Sequence, residues 1–181
     1  MIHRYMFLGY YTEKDISVSK VAYYSSISYF NDMVLVYVET KDKQIPYDLV
    51  SGNLKPFPDG RHLMPLLNVF QYSPSEDESY WQRDGKTKPV FWIAKLKRDE
   101  ITKYIFHHYQ MMHEGHRATN KYGIIFYYDD ILVMYKETPD VLGIPNPRTL
   151  PENNLPWFPG NMILACGIPW DGKDDYWHVI E

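Results

Sequence analysis

Runs rich in aromatic and β-favouring residues recur along the chain and predict opening strands at residues 3–11 and 89–96. Two further apolar stretches, 27–40 and 125–138, each read as a hairpin folded over a short polar pair, Asn31-Asp32 in one and Asp129-Asp130 in the other. Between residues 97 and 115 the period becomes helical. Ile101, Tyr104, Ile105, His108 and Met112 recur at the three- and four-residue spacings of one face. Asp99 can cap that helix, Glu100 suits its first turn, and Gly115 supplies a stop. The corresponding stretch 15–24 has room for two or three turns at most and carries Ser17 and Ser19. Proline-rich connections follow each hairpin, at 41–59 and 138–160, and predict semi-rigid irregular chain. Segments 63–72 and 161–170 read as returning strands or short helices.

The two hairpins are copies of one pattern. Aligned without gaps, six of fourteen positions are identical: Ile27/Ile125, Tyr29/Tyr127, Asp32/Asp130, Tyr37/Tyr135, Glu39/Glu137 and Thr40/Thr138. Residues 5–9 parallel 90–94 before them, and the aromatic pairs Tyr80-Trp81 and Tyr176-Trp177 close each copy. A self-match at long period implies a duplicated structural unit. The thirteen extra residues of the second copy fall on the helix and the turn after it. The predicted class is therefore α+β. It consists of two tandem ferredoxin-like β-(α)-β-β repeats, 1–84 with a shortened helix and 88–181 with a full one. Paired within one chain and packed as one compact unit, they resemble the dimeric α+β barrel arrangement.

Composition narrows the partners. With 181 residues, 45% hydrophobic and 17% aromatic, the chain can bury a substantial core. A formal charge of −4 gives no electrostatic footprint for nucleic acid or an anionic membrane. No apolar run approaches the roughly 20 residues that span a bilayer. The lone Cys166 cannot close an intrachain disulfide, and no charged-then-apolar leader is visible, so a cytoplasmic location is expected. The expected partner is a small molecule, a sugar among the candidates, with the chain a monomer or homodimer.

Four histidines cluster at His107, His108, His113 and His116. Metal binding needs three or four convergent ligands, and only Glu114 stands nearby, so no metal and no cofactor are expected. Tyr104 and His108, four apart, lie on one helical face, where an imidazole beside a phenol can serve as an acid–base pair or pack as core. The segments 103–108, 121–126 and 131–137 together resemble L-rhamnose mutarotases. The resemblance implies that Tyr104, His108 and Tyr122 belong to the acid–base set that opens and recloses a pyranose ring. Trp92 and Tyr127 are candidates to stack a sugar face, and Arg117 to orient its hydroxyls. The first copy has no matching histidine, so one site per chain is expected. Three classes remain open: a cofactor-independent sugar mutarotase or isomerase, a non-catalytic small-ligand binding protein, and a haem- or quinone-handling monooxygenase-like barrel.

Overall fold

A computed structural model describes residues 1–114, 118–149 and 178–180 of the chain, with Glu114 described by its backbone only. The strands in order are β1 (His3–Tyr11), β2 (Ser17–Val18), β3 (Tyr24–Phe30), β4 (Met33–Thr40), β5 (Val50–Ser51), β6 (Leu54–Lys55), β7 (Met64–Pro65) and β8 (Leu67–Gln71). They continue with β9 (Lys88–Lys95), the helix α1 (Ile101–Glu114), β10 (Ile124–Tyr128), β11 (Ile131–Thr138) and β12 (His178–Ile180). The chain divides into two compact units, one built on residues 1–67 and 75–84, the other on 68–74 and the described part of 85–179.

In the first unit the sheet runs β3-β4-β1-β6, with β7 also on β1. β4 sits centrally and all eight of its residues are buried. Burial on both faces explains why it reads as an unbroken apolar run rather than an alternating one. Phe7, Val34, Val36, Val38, Ile16 and Leu63 form the core on one side. The β3–β4 hairpin turns on Asn31, whose φ of 54° lies in the left-handed region that a short polar side chain tolerates. The small β2–β5 sheet pairs Ser17 with Ser51 and Val18 with Val50.

Gly52 fixes the approach of that small sheet to the chain beside it. Its φ is +140°, and an added Cβ would lie 2.5 Å from Ile16 Cδ1 and 2.9 Å from Ile16 Cα. Asp15 reinforces the approach by accepting from Asn53 N at 3.0 Å and Asn53 Nδ2 at 2.6 Å. Replacing Gly52 by Ala therefore combines a strained backbone with a clash against backbone atoms. The expected loss is about 1–3 kcal/mol, read as a lowered midpoint in urea denaturation; an unchanged midpoint would show that this loop is not held as described.

In the second unit the sheet order is β12-β9-β11-β10-β8. The β10–β11 hairpin turns on Asp129, with φ 55°. α1 covers one face: Tyr104 joins Phe70, Ala94, Leu96, Ile125 and Leu132 in the core, with Ile101, Ile105, Met111 and Met112 packed on it. The helix is preceded by a single 3-10 turn, Arg98–Glu100.

Positions aligned between the two repeats take the same place in the two registers. Tyr37 stands opposite Met6 and Ser26, and Tyr135 opposite Phe91 and Ile124.

The predicted fold class needs correction. The described residues are mostly β, with several sheets and a single α-helix, and do not form a tandem of ferredoxin-like β-(α)-β-β units or a dimeric α+β barrel. The shortened helix expected at 15–24 is instead a two-residue strand and turns. Its backbone donors are spent on other segments: Ser19 N on Leu49 O and Tyr23 N on Glu39 O. Serine-rich chain competes poorly for helix when extended partners lie beside it. The returning segment 63–72 is strand, β7 and β8, while 161–170 lies outside the described residues. Among the described residues no helix is long and apolar enough to cross a membrane.

Candidate functional site

The helical pair comes first. The Tyr104 and His108 rings lie 4.1 Å apart, and Phe70 meets His108 edge-on at 5.2 Å. Both side chains are buried, each only 3% exposed. His108 Nδ1–H donates to the Tyr104 carbonyl at 2.9 Å, which fixes the tautomer. Burial pushes the imidazole pKa down to about 4, against the raising effect of the Tyr104 carbonyl and with a small lowering by His107. At neutral pH His108 is therefore an uncharged ring packed under the sheet.

Tyr122 is buried too, in the turn before β10, but is not among the residues of the core cluster that contains Tyr104. Its ring carries Lys121 Nζ at 4.9 Å. Trp92 and Tyr127 are half-buried. Trp92 stands across from Met134 and under the Lys136 ammonium, 5.4 Å from its centroid, and Tyr127 packs on the α1 core. Desolvation and the Asp129 charge raise the Tyr127 pKa. Arg117 and His116 lie outside the described residues. The structure thus brings Tyr104 and His108 together in a core. Among the described residues no three His, Cys, Asp or Glu side chains converge as metal ligands.

What the repeat preserves is a buried acid with its phenol. Tyr37 OH donates to Glu39 Oε1 at 2.7 Å in the first unit, and Tyr135 OH to Glu137 Oε1 at 2.8 Å in the second. Residues two apart on a strand share a face, which makes the contact possible. The remaining partners differ. Glu39 accepts a bidentate pair from Arg83 at 2.9 and 2.8 Å, and Arg4 Nε donates to Tyr37 Oη at 2.5 Å. Glu137 instead accepts from Thr87 Oγ1 at 2.5 Å. In the first unit Arg83 also lies over the Tyr24 ring at 3.5 Å and Arg4 over Trp81 at 4.7 Å. Burial foremost, with the Glu39 charge adding to it, holds the Tyr37 phenol well above its ordinary pKa. In both networks the phenol and the acid are buried, while Arg83 and Thr87 reach them from partly exposed positions.

Among the described residues, two cavities bear on ligand binding. The larger, in the first unit, has a volume of about 410 Å³ and lies among Tyr47, Val50, Leu54 and Leu63, with Arg61 and His62 supplying polar groups. His62 Nδ1–H donates to the Leu54 carbonyl at 2.9 Å, which orients the ring at the cavity. Arg61 is tied to Asp59 through Nε at 2.9 Å and Nη2 at 2.5 Å, and this pairing holds the Asp59 carboxyl below the usual range. The smaller cavity, in the second unit, is about 190 Å³ and combines apolar walls with a few polar groups, bounded by Tyr72, Thr119, Asn120, Met134, Lys136 and Asp140.

Sequence reasoning missed both cavities. The signal for the first was the long proline-containing connection at 41–59, since loops of that length are commonly functional; for the second it was the turn that closes the thirteen-residue insertion. No protein-family model, no curated protein and no solved structure matches this chain.

Proposed function

We propose that this chain is a non-catalytic binding protein for a small, largely apolar molecule, held in the cavity of the first unit. The observation that carries the reading is that cavity itself: about 410 Å³, floored by Val50, Leu54 and Leu63, walled by the Tyr47 ring, with Arg61 and His62 as its polar groups. Volumes of about 300–1,000 Å³, apolar lining and a few placed polar groups characterise small-molecule sites. Tyr47 rests tilted on Phe7 with ring centroids 5.6 Å apart, so the wall is anchored to the core of the sheet. The burial of His108 points the same way, because a general acid or base must reach the atom it protonates.

The test uses the anionic fluorophore 1-anilinonaphthalene-8-sulfonate with the full chain. Saturable binding with a blue shift is expected. Leu54→Trp, which fills the cavity, and Tyr47→Ala, which removes an exposed wall, should each weaken it by about tenfold while circular dichroism stays unchanged. Binding of equal strength in parent and both folded variants would sink the proposal.

A further inference from the structure

We propose that the second unit carries a separate site for a small zwitterion of α-amino-acid size, in the cavity where Thr119, Lys136 and Asp140 bring their polar groups together. The cavity, at about 190 Å³, is far larger than a single water needs. Three features make it a built site. Thr119 Oγ1 is buried with no hydrogen-bond partner, a group that costs free energy unless something enters to bond it. Lys136 Nζ and Asp140 Oδ1 form an ion pair at 3.6 Å whose side chains are 27% and 59% exposed, so both charges can be reached by a ligand. Asn120 holds the acid in place: its Nδ2 donates to Asp140 Oδ1 and to Glu137 O, both at 2.8 Å, and its Oδ1 accepts from Tyr122 N at 3.0 Å.

The class of ligand follows from that set. A carboxylate can accept from the Lys136 ammonium and the Thr119 hydroxyl, while an ammonium two bonds away donates to Asp140 Oδ2. Bonds between charged partners are roughly twice as strong as neutral ones. A simple carboxylate would be repelled by Asp140 and a simple amine by Lys136; a neutral polyol would satisfy neither charge. The ligand's own side chain would lie toward Met134 and Tyr72. Tyr72 approaches closely because the facing residue is Gly123, where a Cβ would come within 2.7 Å of Tyr72 Cδ2.

Ligand-observed saturation-transfer NMR on the full chain, with L-alanine, acetate, ethylammonium and glycerol at equal concentration, tests the proposal. L-Alanine should bind about tenfold tighter than any of the other three. Lys136→Met and Asp140→Asn should each weaken alanine about tenfold. Thr119→Val should weaken it about threefold while leaving the unliganded melting temperature equal or higher, since it removes an unbonded buried hydroxyl. Leu54→Trp should bind alanine as the parent does, which keeps this site distinct from the first. The proposal is overturned if nothing saturates, if glycerol or a singly charged probe binds as well, or if the Lys136 and Asp140 variants bind like the parent.

Discussion

Replacing Glu39 by alanine is expected to destabilise the first unit by about 3–5 kcal/mol, the largest single effect anticipated for this chain. The Glu39 carboxylate is wholly buried, and the Arg4 side chain beside it is 1% exposed with Nε 3.8 Å from Glu39 Oε1. Removing the acid takes from two guanidinium groups, Arg4 and the mostly buried Arg83, the carboxylate with which both pair. Glu39→Gln keeps the shape and one acceptor, so it should cost less than the alanine change. A second substitution, Arg83→Ala in the Glu39→Ala background, should recover part of the loss, because it removes one of the two buried cations that Glu39 neutralised. Urea denaturation followed by tryptophan fluorescence reads this directly, since Trp81 is 1% exposed against the same cluster. A loss under about 1 kcal/mol would place the pair in the class of surface ion pairs and refute the buried network.

The second large effect depends on pH. His108 is held neutral with its pKa lowered to about 4, whereas an unfolded histidine titrates near 6.5. The unfolded chain therefore takes up this proton first as pH falls. The stabilisation is complete above about 6.5 and is lost progressively as pH falls toward 4, at up to about 1.4 kcal/mol per pH unit, roughly 3 kcal/mol in all. Replacing His108 by Leu, a comparable volume with no proton to gain, should flatten that part of the stability profile. Comparing parent and variant at pH 7 and pH 4.5 isolates the His108 contribution from carboxylates that titrate in both. Parallel profiles would mean that the ring is not sealed between α1 and the sheet.

How much of this was legible in the chain depends on the range of the interaction that decides each element. The hairpins and α1 rest on local features: a two-residue polar turn, a strand-length apolar run, a four-residue stripe. Asn31 and Asp129 mark their turns because a short polar side chain tolerates positive φ. The overall class was not legible, because it turned on whether 15–24 would coil or pair. That was settled by Val50 and Ser51, more than thirty residues away. The candidate site failed to be legible for a different reason. Spacing placed Tyr104 and His108 on one face, but whether such a face meets a cleft or a core depends on what packs against it. Here Phe70 does, from a strand that the sequence left ambiguous. The buried Glu39 and Glu137 carried the clearest unread signal. An acid preserved in both copies of an otherwise apolar strand pattern marks a buried partner rather than a solvated edge.

Two like hairpins on one chain also raise the question of which first strand each will choose. Were β4 to dock on β9 in the register its own counterpart uses, Glu39 would face Pro89 instead of Arg4. A buried carboxylate would then lose one of its cations, and Pro89 has no backbone N–H to donate to the ladder. The ion pair across β1 and β4 thus works as an address label: it makes exchange between the copies costly during folding, when tandem repeats are most prone to misassembly.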